Sequence, residues 1–188
     1  MTKEDENFQK EDYIKTRLPS GKYDYCTFID CQFADSYLAD INFIDCTFKN
    51  CDLSNVKISD TAFKSVKFVN CKMLGVNFND CNPFLLSLDF ENCQLDYSSF
   101  EKLKLQTTEF KECSLQEVNF TETDLSSGIF NNCNLNRAVF EYSILEKADF
   151  RTAKNYSFDP EINRLKKAKF SLPEVVNLLK KYNIIIEK

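Results

Sequence analysis

Large apolar residues recur at every fifth position through most of the chain. One series of eleven runs from Phe28 to Phe78, and a series of thirteen, in which Phe and Leu alternate strictly, runs from Phe90 to Phe150. Mostly small residues, chiefly Cys, Ser, Thr, Val and Ala, stand two positions before each large one. Each unit of five residues therefore has the pattern small–x–large–x–x.

This pattern disfavours an α-helix and predicts a coil of very short strands. A helix turns by about 100° per residue, so residues five apart would drift by about 140° from one face. Residues two apart in a strand share a face, so the small and large residues of one unit can both point inward. The three-residue step to the next unit then needs a corner, and stacked coils bury each other's apolar side chains.

The unit resembles the pentapeptide repeat, whose consensus is Ala-(Asp/Asn)-Leu-x-x with Cys often in place of Ala. The resemblance covers about residues 22–155. It implies an all-β fold, a right-handed quadrilateral parallel β-helix (a pentapeptide-repeat solenoid) in which four units make one turn. Phe90, Phe110, Phe130 and Phe150 would then stack as one ladder.

The two series of large residues are out of phase between Phe78 and Phe90. Pro83 lies in this interval and cannot donate to a β-ladder, so a bulge or short loop is expected there. Asp and Asn dominate the corner positions before the interval but not after it, which predicts a different turn type in the second stack. The chain is predicted to be a single domain. Its segments are an N-terminal cap of undetermined structure (1–21), a first repeat stack (22–80), a junction (81–88), a second repeat stack (89–170) and a C-terminal helix with a tail (171–188).

A short C-terminal α-helix is predicted after the last repeat. Ser171 and Glu174 have the spacing of a capping box, and Ile residues at 184–186 favour a terminal strand. In the quinolone-resistance (Qnr-like) branch of the family, which the chain resembles, a C-terminal element joins two rods. The resemblance implies a homodimer whose interface is the apolar surface of the helix, formed by Val175, Val176, Leu178, Leu179 and Tyr182.

Cysteine and histidine usage argues against metal and nucleophilic chemistry. The nine Cys all lie in the small-residue series, where a free thiol packs as a small apolar group. The chain has no His and no CxxC motif, which disfavours zinc sites and Cys/His catalysis. A catalytic carboxylate pair needs a cleft, and a Phe-filled solenoid offers none. The sequence therefore predicts no cofactor and no enzyme.

Charge and hydropathy limit the partners and the location. The net charge is −5. Because contacts with phosphates need Lys and Arg, direct binding of nucleic acid is not expected. An acidic protein is compatible with a basic protein partner. No apolar run approaches the roughly 18 residues of a membrane span, and the charged N-terminus does not resemble a secretory signal. A cytoplasmic protein without membrane contact is predicted.

Acidic residues recur at the spacing of one predicted turn and should form two columns. A first acidic column comprises Asp40, Asp60 and Asp80, and a second comprises Asp89, Glu109 and Asp149, interrupted by Ile129. One reading is structural, because Asp suits tight corners. The other is functional, since stacked carboxylates repel and a ridge of negative charge can imitate duplex phosphates and bind a partner.

Two functions follow from these features. The first is a protein-interaction scaffold whose partner the sequence does not identify. The alternative rests on the resemblance to the quinolone-resistance branch, which implies a DNA mimic that binds a type II topoisomerase, DNA gyrase, and modulates its activity or its quinolone sensitivity. A salt-sensitive complex with gyrase would separate the two.

Overall fold

Short strands and corners alternate along the computed structural model, which describes residues 1–187; Lys188, the last residue of the predicted tail, lies outside them. Among these described residues, no strand exceeds four residues, because each small–x–large unit spans only one side of the coil. The strands are β1 (Thr2–Glu4), β2 (Asn7–Gln9), β3 (Lys22–Asp24), β4 (Thr27–Ile29), β5 (Asn42–Ile44), β6 (Thr47–Lys49), β7 (Ala62–Lys64), β8 (Val66–Val69), β9 (Leu88–Glu91), β10 (Glu109–Lys111) and β11 (Ile129–Asn131).

The coil has four sides, and parallel pairing joins successive turns on each of them. One side is the sheet β1-β3-β5-β7, here called the four-strand side, and the next is β2-β4-β6-β8-β9-β10-β11, the seven-strand side. Isolated parallel bridges join the other two sides, as between Gln32 and Asp52 and between Tyr37 and Lys57. The fold is therefore the predicted right-handed quadrilateral parallel β-helix.

Along residues 1–187, the register between turns changes once. Phe28 pairs with Phe48, an offset of 20 residues, whereas Phe68 pairs with Phe90, an offset of 22. Because Ala62 still bridges Asn82 at the shorter offset, the two extra residues lie just after Asn82, within the segment for which the sequence predicts a bulge or loop. The seven-strand side continues through this change, since β8 and β9 pair directly.

Aromatic rings stack along the inside of the seven-strand side. Neighbouring rings have centroids 4.6 to 5.4 Å apart and planes within 18° of parallel. The predicted ladder is present and extends beyond both ends of the repeats, through Phe8, Phe28, Phe48, Phe68, Phe90, Phe110, Phe130, Phe150 and Phe170. Each turn thus buries the aromatic residue of the next, which a single repeat could not do.

The corners keep a left-handed residue in both stacks. Asp30 and Asp60 have φ of 55°, as expected of Asp in a tight turn. Tyr97, Lys102 and Thr107 occupy the equivalent positions of the second stack with φ of 62° to 64°. The prediction of a different turn type in the second stack is therefore wrong with respect to φ. Closure of the square coil imposes a left-handed backbone conformation at the corner, whatever the side chain.

The N-terminal segment continues the coil. Residues 1–21, whose structure the sequence left open, include β1 and β2, which pair with β3 and β4 at the regular offset. Phe8 and Tyr13 stack on the rings of the next turn. Lys and Glu or Asp side chains dominate the outer edge of this first turn, and charged residues on an edge discourage pairing with other chains.

A short helix follows the last turn. It consists of α1 (Leu172–Val175) and a 3₁₀ segment, Val176–Tyr182. The predicted capping box is wrong, because the Ser171 side chain makes no cap bond; instead a Glu174 carboxylate oxygen accepts the backbone N–H of Asn155 at 3.0 Å. The Ile residues at 184–186 do not form a strand. Within residues 1–187, no helix has the length and apolar character required to cross a bilayer.

Candidate protein-interaction surfaces

The interior of the solenoid is packed with side chains and does not display its thiols. All nine Cys are free and buried, and one side of the coil stacks six of them, Cys31, Cys51, Cys71, Cys93, Cys113 and Cys133. Each Sγ lies near a carbonyl of the preceding turn, as Cys113 does with Phe90 O at 3.5 Å. Burial raises the pKa of Cys46 to about 11 and of Cys81 to about 12, so these thiols stay protonated at neutral pH. In residues 1–187 no three His, Cys, Asp or Glu side chains cluster as a metal site would require.

The first acidic column lies on the corner edge that leads into the four-strand side. Asp40, Asp60 and Asp80 are all exposed, and none has a cation within ion-pair distance among residues 1–187. The backbone stacks them, since the Asp60 N–H donates to Asp80 O at 3.0 Å. Among residues 1–187, only neutral amides donate hydrogen bonds to these side chains: Asn82 Nδ2 donates to Asp60 Oδ1 at 2.8 Å, and Asn77 Nδ2 to Asp80 Oδ2 at 3.3 Å.

The column has a defined end. Asn77 bridges Ser99, and by the same offset of 22 residues Lys102 is the corner residue of the next turn along this edge. The Lys102 ammonium lies 2.8 Å from Glu101 and 3.9 Å from Glu122, and the contact with Glu101 raises the pKa of Lys102. Three uncompensated carboxylates therefore form a short acidic edge that stops at a paired lysine.

The second acidic column lies on the outer face of the seven-strand side and is interleaved with cations. Register places Asp89 beside Lys67, and Glu109 beside Ile129, as the sequence predicts for the interruption. The Arg151 guanidinium contacts both Asp149 oxygens, at 3.0 and 2.7 Å, and holds the pKa of that carboxyl below its usual range. This column is therefore partly neutralised within the chain.

A lysine–glutamate–lysine network reinforces this neutralisation. Glu91 on β9 accepts from Lys111 at 2.7 Å and from Lys67 at 2.8 Å. These two ammonium groups lower the pKa of Glu91 to about 2. The outer face of the seven-strand side thus carries mixed charge, unlike the edge formed by the first acidic column.

The C-terminal helix divides its apolar residues between the rod and the solvent. Leu178 is buried, and Val175 packs against the core, so in this conformation the rod itself takes up these two members of the predicted dimer interface. Val176, Leu179 and Tyr182 remain 38% to 46% exposed. Sequence periodicity alone did not separate the two groups, because the helix is apolar over a broad surface.

Ionic contacts fix the helix to the preceding loop. Lys181 Nζ contacts Asp159 and lies 2.8 Å from Glu161 Oε2, and the Tyr182 hydroxyl donates to Glu161. The Lys181 ammonium lowers the pKa of both carboxyls, and they raise the pKa of Lys181. These contacts form a latch between the end of the rod and its helix.

The sequence did not predict that two large apolar residues are exposed. Phe84 and Leu85 lie in the two-residue insertion and are 66% and 65% exposed. The loss of phase after Phe78 located a loop, but the pattern did not say which residues point outward. The ordinary expectation that large apolar residues are buried would place them in the core.

Comparison with known proteins identifies the family and the fold. No curated protein matches the chain by sequence. Among solved structures, a trypsin-treated variant of QnrB1, described as a plasmid-mediated fluoroquinolone resistance protein, matches with a TM-score of 0.65 and 16% sequence identity, over 100% of this chain and 99% of that one. Full-length QnrB1 matches with a TM-score of 0.56 and 17% identity, over 98% of this chain and 100% of that one. At such identity the likeness establishes the fold.

The family model for the pentapeptide repeat region matches residues 22–100 and 85–158. These ranges coincide with the small–x–large units and with the stacked turns of the solenoid. Together they span more than half of the chain, and the protein therefore belongs to the pentapeptide-repeat family.

Proposed function

We propose that the protein is a non-enzymatic interaction scaffold that binds a basic protein partner through the first acidic column. The observation that carries this proposal is the stacking of three exposed carboxylates that have no cation within ion-pair distance in residues 1–187. Like charges stacked on neighbouring strands destabilise a sheet, so the column lowers the stability of the rod when no partner is bound. Lys and Arg of a partner would remove that repulsion and steer the association.

Two further observations support a binding role. The filled interior leaves the outer surface for function, and neither the family model nor the matching structures indicate an enzyme family. Nine buried free thiols are typical of a reducing compartment, which supports a cytoplasmic location as part of this proposal.

The salt dependence of partner capture tests the scaffold proposal. The immobilised protein is exposed to cell lysate at about 50 mM and about 500 mM salt. Interactions between exposed charges are weakly screened at the lower concentration and strongly screened at the higher one. The proposal predicts that specific proteins with basic surfaces are retained at the lower concentration and released at the higher one. Retention of no protein above a blank matrix, or retention unchanged by salt, would contradict it.

A second candidate partner is DNA gyrase. The end-to-end match of the rod with QnrB1 and the presence of an uncompensated acidic edge favour it. In this account the rod acts as a DNA mimic, and the first acidic column takes the place of duplex phosphates in a basic DNA-binding groove. Binding would modulate gyrase activity or its sensitivity to quinolones.

A gyrase supercoiling assay tests this candidate directly. Increasing amounts of the protein are added with and without a fluoroquinolone, at two salt concentrations. Salt-sensitive inhibition, or rescue from the drug, is the expected result. No effect at micromolar protein would remove gyrase as the partner and leave the scaffold proposal in place.

We also propose that the rod pairs with a second copy through the exposed side of its C-terminal helix. Val176, Leu179 and Tyr182 supply the apolar contact, and Leu178 stays in the rod's own core. Two-fold pairing is the most common symmetry of protein oligomers. It would double the acidic edge available to one partner.

A further inference from the structure

Two large apolar side chains project from the rod where the register changes. Phe84 and Leu85 expose about two thirds of their surface, whereas the inward-facing Phe63 and Phe78 of the adjoining repeat units are buried. Leu86, rather than Pro83, packs against the core at this turn. The insertion thus keeps the core filled while it places an aromatic and an aliphatic side chain outside, and these two residues are called the apolar knob.

The apolar knob is held in place by specific contacts. Asn82 Oδ1 accepts the backbone N–H of Phe84 at 3.0 Å, and the Lys64 ammonium lies 5.4 Å from the centre of the Phe84 ring. Ser87 N–H donates to Phe63 O at 3.0 Å and closes the loop. A short loop with both ends in the ladder presents its side chains with little conformational freedom, which favours tight contacts.

The conformation of the loop works against stability. Leu85 has φ of 58°, in the left-handed region that a residue with a branched side chain enters unfavourably. Asn or Gly would fit that backbone better, and a polar residue would avoid exposed apolar surface. Packing within the rod therefore does not account for Phe and Leu at these two positions.

The apolar knob lies beside the first acidic column. Asn82 connects the two, because its side-chain amide donates to Asp60 while its side-chain oxygen receives Phe84 N–H. Asp80 and Leu85 stand at the two ends of the same short segment of the four-strand side. The carboxylates of the first acidic column therefore lie on the flank of the knob that faces the four-strand side, whereas on the seven-strand side the nearest carboxylate in sequence, Asp89, is paired in register with Lys67.

We propose that the apolar knob is the specificity anchor for a protein that presents an apolar pocket flanked on one side by Lys or Arg. This inference rests on the proposed scaffold function and adds the contact that selects the partner. Aromatic and aliphatic anchors that fill a pocket dominate the energy of protein interfaces, while surrounding charges guide association and fix orientation. The acidic column supplies the guiding charge and the knob supplies the anchor.

Site-specific photo-crosslinking tests the inference with a close control. Phe84 is replaced with p-benzoylphenylalanine in one sample, and Tyr97 in another. Tyr97 is an aromatic residue on the opposite corner, 64% exposed and with φ of 64°, so it matches the knob in exposure and corner conformation. Both proteins are irradiated in cell lysate at low salt, and the crosslinked residues are mapped by mass spectrometry.

The expected result is an adduct at position 84 to an apolar segment of another protein with Lys or Arg on one side. Its yield should exceed that at position 97 by about tenfold, and D40N/D60N/D80N in the same chain should lower it by about tenfold. Equal yields at the two positions, adducts only to a second copy of this chain, or adducts to polar or acidic segments would overturn the inference.

The same samples separate this inference from the proposed function. If the unmodified protein retains salt-sensitive partners but position 84 gives no adduct, the scaffold proposal stands and the anchor is elsewhere. If neither partner capture nor crosslinking is seen, both proposals fail.

Discussion

At the scale of single residues, the corners show where the coil overrides side-chain preference. Asp and Asn tolerate left-handed backbone, and the first stack uses them at nearly every corner. In the second stack Thr107 and Glu112 adopt the same φ region without that tolerance. Backbone hydrogen bonds to neighbouring turns hold these residues in the left-handed conformation. The stacking of turns therefore offsets the unfavourable backbone energy at each corner.

Replacing Thr107 with Asn should therefore stabilise the protein. Thr107 is exposed, has φ of 64°, and is β-branched, which makes left-handed backbone unfavourable. We expect T107N to raise the free energy of unfolding by about 1 kcal/mol, measured by urea denaturation. T47N, placed in strand β6 where φ is not positive, is the matched control and should give no gain.

The aromatic ladder predicts a large contrast between two phenylalanines. Phe110 is fully buried between two stacked rings, and we expect F110A to lower the free energy of unfolding by about 3–5 kcal/mol. Phe84 is exposed, so F84A should change it by less than about 0.5 kcal/mol. Similar losses in the two variants would mean that Phe84 belongs to the core and not to an outward knob.

At the scale of elements, the latch between Lys181 and the carboxylates of Asp159 and Glu161 holds the C-terminal helix. Both carboxyls have a lowered pKa in the folded state, from ordinary values of 3.8 and 4.5. Their contribution to the stability of the folded state is therefore complete when the pH is above the ordinary pKa values. It is lost as the pH falls through the lower pKa values of the folded state. Acid should release the helix before the buried coil unfolds.

Hydrogen exchange can measure this release. With intrinsic exchange rates corrected for pH, amides of Val176–Tyr182 should lose protection below about pH 4 while those of β9–β11 keep theirs. K181A should remove the same protection at neutral pH, and K180A, at the neighbouring lysine with no ion pair in residues 1–187, should not. Equal loss in both variants would show that the latch does not hold the helix.

The elements also show how far sequence reasoning reaches. The five-residue period predicted a coil of short strands, the inward residues and the position of the insertion, because each depends on a repeated local rule. The four-sided, right-handed form of the coil was implied by the resemblance to the pentapeptide repeat. The role of Glu174, which accepts from Asn155 on the last turn, and the burial of Leu178 could not be predicted, since both depend on how the helix packs on the rod. For the candidate site, spacing placed the acidic columns, but only the structure revealed that Arg151 neutralises part of the second.

At the scale of the whole molecule, the proposed dimer predicts the behaviour of two surface variants. We expect wild-type protein to sediment as a dimer at micromolar concentration. V176D/L179D, which puts charge on the exposed side of the helix, should sediment as a monomer, because burying an unpaired charge at an interface is costly. I14D alters a similarly exposed apolar residue at the other end and should remain dimeric. A monomeric wild type would contradict the proposal.

Two triple variants can show whether the arrangement of charge on the rod, and not its amount, determines binding. D40N/D60N/D80N removes three charges from one edge, and D5N/D35N/D45N removes three from left-handed corners on two edges, where Asp5 and Asp45 are separated by Tyr25. Both retain side chains that suit tight corners, so both should fold. Partners retained from lysate at low salt are then quantified for each variant beside the wild type. We expect the first variant to lose salt-sensitive partners by about tenfold while the second keeps them; equal losses, or no loss in either, would contradict a binding role for the first acidic column.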